Sequence, residues 1–238
     1  NKPLAKINGM PMIGHVYHRV KMCRNLSDIY TATCDKEIFD YVSSIGGNSI
    51  MTKDTHERAT DRTGEALEKI NDTEGDDIDG ILMIQGDEPL LNPALLDDMI
   101  SFHTNTISPY ITNLVSEIHD LDEFNNTNVV KVVKDHNDRI LYFSRSPIPF
   151  NAKFIGKLPM WKQTGLILFS KYALKTFIEL EPTELEIIES VDMNRVLEND
   201  LIITAFPTNE ISHAVDVPED IPLLEQLFIN DMLINNYA

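Results

Sequence analysis

Apolar positions along the chain follow a rhythm that changes partway through. From Pro11, the residues Met12, Ile13, Val16, Tyr17 and Val20 recur at helical spacing and predict a helix through residue 23, opened by the proline. "DIYTATC" (28–34) predicts a strand. "DKEIFDYVSSIGG" (35–47) predicts a second helix with Ile38, Phe39, Val42 and Ile45 inward, ended by Gly46-Gly47. "NSIM" (48–51) is a short strand, and a third helix is expected from Thr60 as N-cap, with Ala66, Leu67 and Ile70 inward. "GILMIQ" (80–85) is a strand and "PALLDDMISFH" (93–103) a helix begun by Pro93.

Alternating strands and helices imply a parallel sheet with helices on both faces. After about residue 105 the rhythm breaks. "YITNLVS", "NVVKVVKD" and "RILYFS" read as strands without intervening helices, and Asp135 to Asp138 signals a hairpin. "TGLILFS" returns to a buried strand. Two helices, "KYALKTFIEL" and "ELEIIESVDMNRVLEN", precede the strand "LIITAF" and a last helix from about Glu219. No repeat or low-complexity linker interrupts the chain. The expected architecture is one α/β domain over residues 1–238, with a β-rich lobe from about 105 to 165.

Composition narrows the function. The 238 residues, 42% of them hydrophobic, suffice for a sizeable core. A net charge of -18 argues against nucleic acid or an anionic membrane as the main partner. Cys23 and Cys34, in different local settings, read as free thiols in a reducing compartment. No apolar run approaches the roughly 20 residues of a membrane span, and no signal-peptide pattern opens the chain. A cytoplasmic location is expected.

The stretch "ILMIQGDEPLL" (81–91) begins as a buried strand and ends in Gln85, Gly86, Asp87, Glu88 and Pro89. In α/β sheets ligands bind beyond the carboxyl ends of strands. Gly86 clears space for a close neighbour, and Asp87 offers a carboxylate suited to a hard cation such as Mg²⁺. Capping of the next helix explains the same acids equally well. "SHAVDVPED" (212–220) repeats the design, which makes Asp216 a candidate second carboxylate, with capping of the final helix as its alternative role.

At these residues a family becomes visible. "KPLAKINGMPMIGHVYHR" (2–19), "HERATDR" (56–62), "QGDEPLL" (85–91), "NVVKVV" (128–133), "YFSRSPIP" (142–149), "LEIIES" (185–190) and "VDVPED" (215–220) together resemble the 3-deoxy-manno-octulosonate cytidylyltransferases, in order and spacing. The resemblance covers nearly the whole chain. It implies a CTP-using, Mg²⁺-dependent nucleotidyltransferase on a Rossmann-like sheet with helices on both faces, activating a sugar acid for lipopolysaccharide synthesis. It also implies a homodimer formed through the β-rich lobe. On this match, Asp87 and Asp216 hold the metal and Lys2 meets phosphate as a point charge. Arg58, Ala59, Thr60 and Arg62 lie in the cytosine and ribose loop, and Gln85 faces the sugar acid. Arg62 reads from spacing alone as an exposed helix arginine just as well. Arg145 is matched to the sugar carboxylate by its fork geometry. Glu186 and Glu189, three apart on one helix, are placed over the sugar hydroxyls, although a solvated acidic face is the plainer reading.

Departures from the family pattern are as informative. The family's first strand and arginine-containing phosphate loop precede its lysine, whereas this sequence starts at Asn1-Lys2; either the chain binds CTP without that loop, and poorly, or the residues before Asn1 lie outside the sequence given. Arg58-Ala59 replaces a serine-glycine pair, Gln163 a histidine near the sugar, and Met193 a glutamine on the Glu189 helix. These changes leave open a related ulosonic acid, or a same-fold enzyme for another sugar or nucleotide. A catalytically silent dimeric homologue is the remaining alternative.

Overall fold

The computed structural model describes residues 2–74, 77–106, 110–210, 213–215 and 217–237. After a 3₁₀ turn at Lys2–Leu4 come β1 (Lys6–Ile7) and β2 (Met10–Pro11), then α1 (Met12–Val20). There follow β3 (Tyr30–Thr33), α2 (Lys36–Ser44), β4 (Asn48–Met51) and α3 (Ala59–Glu74). The middle of the chain gives β5 (Gly80–Ile84), α4 (Pro93–Asn105), β6 (Ile111–Glu117) and α5 (Leu121–Asn125). Then come β7 (Lys131–Lys134), β8 (Ile140–Ser144), β9 (Trp161–Ser170) and α6 (Lys171–Glu179). Last are α7 (Glu184–Glu189), α8 (Met193–Glu198), β10 (Ile203–Thr208) and α9 (Ile221–Ile229), flanked by 3₁₀ turns at Pro218–Asp220 and Met232–Asn236.

These elements fold as two compact units. One comprises Asn1–Asp76, Gln85–Ser101 and Ser212–Ala238. In it, β1 and β2 form a hairpin whose turn residues, Asn8 and Gly9, both have positive φ (48° and 86°). That is the conformation an Asn-Gly pair tolerates best in a two-residue turn. Strands β3 and β4 pair in parallel. Asp35 caps α2 by accepting from the Glu37 and Ile38 amides, and Gly46 ends it at φ 77°. Gly47 has no room for a side chain, because a Cβ there would lie 2.6 Å from Val42. Among the described residues, two apolar clusters hold the unit. Ile13, Tyr17, Ile38 and Val42 join α1 to α2, while Ile7, Met12, Val215, Leu224 and Phe228 join the hairpin to α9.

The second unit, Asp77–Ile84 with Phe102–Ile211, carries a six-stranded sheet, five strands in the order β10-β6-β9-β7-β8 and the sixth, β5, paired to β9 off that path. The long β9 organises it. β6 runs along one edge; on the other, β5 pairs with residues 166–170 and β7 with residues 161–162. The sheet is mixed and not parallel: β10 and β6 are parallel, but β9 is antiparallel to β5, β6 and β7. The sequence conceals this because a buried run such as "GLILF" has no direction.

Two boundaries differ from expectation. Thr60 is not an N-cap; α3 already begins at Ala59, and Thr60 is buried in its first turn. The helix expected over "ELEIIESVDMNRVLEN" is broken in two. Ser190 adopts a left-handed conformation (φ 54°), and the Val191 amide closes back on the Glu186 carbonyl at 3.1 Å.

Candidate active site

The candidate residues fall into two groups, one in each unit. In the first unit Lys2 Nζ lies 3.0 Å from Asp87 Oδ2, with both side chains partly exposed. The pair joins the chain's first turn to the segment just after β5. The Asp87 carbonyl accepts from the Val215 amide at 2.9 Å. Asp216 lies outside the described residues. Gly86 is explained by packing: a Cβ there would sit 3.1 Å from Ile13 Cδ1. Glu88, the second acid of the stretch, is buried, whereas Gln85 is exposed. A partly exposed aspartate at a strand end is a hard oxygen donor of the kind Mg²⁺ takes, one or two at a time, beside phosphate oxygens. Asp87 fits that ion.

The "HERATDR" segment is braced by the residues just before it and by the helix that follows. Arg62 is partly buried and donates to the Thr52 hydroxyl and to the carbonyls of Lys53 (3.1 Å) and His56 (3.5 Å). It is therefore not the exposed helix arginine that its spacing suggests. Glu65, one turn on, accepts from the Lys53 amide and from His56, and pairs with Lys69 at 2.7 Å. Burial pushes the Glu65 carboxyl up, but the bonds from Lys69, His56 and the Lys53 amide outweigh it and hold its pKa at about 2. Arg58 is partly buried and Ala59 exposed, at the mouth of this brace.

In the second unit Glu189 is the hub. It accepts from the Ser144 hydroxyl (2.7 Å), the Arg145 amide (2.9 Å) and the Tyr142 hydroxyl (3.0 Å). Burial raises its pKa, but these three donors prevail and keep it below the usual carboxylate range. The Arg145 guanidinium reaches the carbonyls of Glu189 (2.8 Å), Thr127, Asn128 and Ser190. Much of its fork is thus engaged by backbone. Lys131 is fully buried and gives its ammonium to the carbonyls of Asn126, Val129 and Arg145. Burial, and then the charge of Arg145, lower its pKa. Sequence reasoning passed over Lys131, although a lysine between valines in a strand is an unusual signal. Gln163 donates to Asn113 Oδ1 at 3.0 Å, beside the bulge between Asn113 and Val115.

Two candidates are redirected by the structure. Glu186 is buried and held by Arg195 through two bonds of 2.7 and 2.6 Å, so it does not share an open face with Glu189. The cause is Arg195 itself, buried on α8 with its guanidinium 4.3 Å from the Phe177 ring, which calls for a carboxylate. Met193 is fully buried and serves as core.

A putative glucose-1-phosphate thymidylyltransferase from Bacillus anthracis shares the fold at a TM-score of 0.67 and 15% identity, over 99% of this chain and 90% of its own. The cytidylyltransferase family profile matches residues 1–226, and the chain belongs to that family. It is similar to 3-deoxy-manno-octulosonate cytidylyltransferase of Thermodesulfovibrio yellowstonii, 39% identical over 94% of this chain and 91% of the relative. It is also similar to 8-amino-3,8-dideoxy-manno-octulosonate cytidylyltransferase of Shewanella pealeana, 38% identical over 94% and 90%. A solved structure of CMP:2-keto-3-deoxy-manno-octonic acid synthetase complexed with CTP superposes with a TM-score of 0.86 at 29% identity, covering 96% of this chain and 91% of that one.

Proposed function

We propose that the protein transfers CMP from CTP to the anomeric hydroxyl of 3-deoxy-manno-octulosonate or a close 8-carbon analogue. The observation that carries the reading is the Lys2–Asp87 contact, because it unites a cation for phosphate with a carboxylate for a metal at the end of a strand. In the reaction the sugar oxygen forms a bond to the α-phosphorus of CTP. The bond from that phosphorus to the bridging oxygen breaks, pyrophosphate leaves with its electron pair, and the hydroxyl proton passes to solvent. Such chemistry rests on positioning and charge neutralisation. On nucleotide entry Lys2 exchanges Asp87 for a phosphate oxygen, which frees the carboxylate. Asp87, with Asp216, would then hold Mg²⁺, which neutralises phosphate charge and acidifies the attacking hydroxyl. Arg62 and Glu65 keep the base loop rigid for cytosine and ribose.

The sugar acid is assigned to the second unit. Glu189 offers acceptors that its three internal donors orient, and the Gln163 amide nitrogen is held by Asn113 Oδ1. The protein is proposed to work as a homodimer through the β-rich lobe. Phe150, Phe154 and Ile155 are exposed on one loop of that lobe and would be covered in the dimer. A panel of CTP, UTP, ATP and GTP against 3-deoxy-manno-octulosonate and its 8-amino analogue, read by pyrophosphate release, tests the reading. CTP with either acceptor is expected to exceed every other pair by at least about tenfold. Preference for UTP or GTP would refute it.

A further inference from the structure

The Lys2–Asp87 pair is made by two segments with little regular structure of their own, and something must fix them. Two buried side chains of α1 do so. His15 donates from Nε2 to the Ile7 carbonyl at 2.9 Å, which anchors the hairpin that follows Lys2. Because that carbonyl only accepts, Nδ1 of the neutral ring is the acceptor. Burial lowers the pKa of His15, which favours this neutral form. Arg19, 1% exposed, donates to the Leu91 carbonyl at 3.0 Å and anchors the stretch that carries Asp87. Both side chains then meet one atom. The Tyr237 hydroxyl lies 3.1 Å from His15 Nδ1, to which it donates, and 3.3 Å from Arg19 Nε, from which it accepts. Asp231 pairs with the far nitrogen of Arg19. His18 stacks on the Tyr237 ring at 5.2 Å between centroids. Glu225 accepts from the Asn8 amide in the hairpin turn at 3.3 Å.

From this convergence we infer that the segment from Asp231 to Tyr237 is a positioning element for the Lys2–Asp87 pair. It acts through Arg19 and His15, with Tyr237 as the joint between the two arms. The inference rests on the proposed role of that pair in CMP transfer. The polar contacts end on the carbonyls of Ile7 and Leu91, each only a few residues from one member of the pair. A segment needed only for bulk stability would be served by the apolar contact of Ile234 with the cluster of Ile7, Met12, Val215, Leu224 and Phe228 alone.

Tyr237→Phe keeps the ring and removes both hydrogen bonds, and Asp231→Asn removes the charge partner of Arg19. Two readouts separate positioning from stability. The first is hydrogen exchange at the amides of Met12, Leu91 and Val215, which bond to Ala5, Glu88 and Asp87. Either variant is expected to speed these by about tenfold. The amides of Gly47 and Thr52, which bond to Val42 and Thr33, should keep their rates. The second readout is steady-state turnover, where kcat should fall about tenfold with KM for CTP within twofold. Val42→Ala, in the other apolar cluster, is the stability control and should leave kcat unchanged. Wild-type exchange in both variants, exchange raised at all five amides alike, or an equal loss of kcat in Val42→Ala would overturn the inference. If the wild type itself released no pyrophosphate from CTP, the reading of function would fall, and the exchange pattern would still decide the positioning.

Discussion

Glu186→Gln separates a structural carboxylate from a substrate-binding one. Glu186 and Arg195 are 2% and 3% exposed, and both carboxylate oxygens accept from the guanidinium at 2.6–2.7 Å. One oxygen also accepts from the Thr183 amide at 3.3 Å and completes the cap of α7. The glutamine retains one acceptor and presents an NH₂ group toward a buried cation. Removing one partner of such a pair costs about 3–5 kcal/mol, since the other charge stays buried without compensation. Against a typical domain stability of about 5–15 kcal/mol this is a large fraction. Urea denaturation followed by circular dichroism should show the midpoint lowered and the slope unchanged. Replacing both partners with apolar residues, as Glu186→Leu with Arg195→Met, should recover most of the loss, because no charge is then stranded. A Glu186→Gln protein within about 0.5 kcal/mol of wild type, but with KM for the sugar acid raised tenfold, would refute this reasoning. It would return Glu186 to the substrate site.

Two further outcomes follow from other residues. The Glu65 carboxyl has its pKa depressed in the folded chain to about 2 from an ordinary 4.5, so its contribution is present above pH 4.5 and lost as pH falls from there toward 2. A Glu65→Gln variant should therefore melt below wild type at pH 7 and approach it near pH 2 in thermal scans; a gap that widened on acidification would contradict the assignment. Met193→Gln should destabilise by about 1–3 kcal/mol through a buried amide without partners, with no gain for any sugar acid. A stable variant with tighter sugar binding would show that Met193 faces the ligand.

What the sequence revealed follows the physics of each segment. Helices with a clear apolar stripe, such as α1 and α2, were legible, as was the Asp135–Asp138 hairpin, where Asp135 accepts from the Asn137 and Arg139 amides. The hairpin turning at Asn8-Gly9 was passed over, because the strands on either side are too short to show alternation. Strand direction was hidden, because β9 is buried and apolar whichever way it runs. The break at Ser190 was hidden too, since the left-handed residue is neither glycine nor asparagine. Motif resemblance singled out Lys2, Asp87, Arg145 and Glu189, but it says nothing of what a side chain already holds. Arg145 spends much of its fork on backbone carbonyls, and Glu186 is taken by a buried arginine, Arg195, that lies outside every recognised motif. Such pairings join separate elements, which no periodic pattern encodes.

The most direct test of the central claim is pyrophosphate release from CTP and 3-deoxy-manno-octulosonate by an Asp87→Asn protein. The Lys2–Asp87 pair is partly exposed, so its loss should change stability by no more than about 1 kcal/mol. A folded variant is therefore expected to reach the assay. The account predicts that turnover falls by at least about a hundredfold, because the carboxylate serves the charge that develops at phosphorus. Turnover within twofold of wild type, in a variant with an unchanged melting curve, would contradict it.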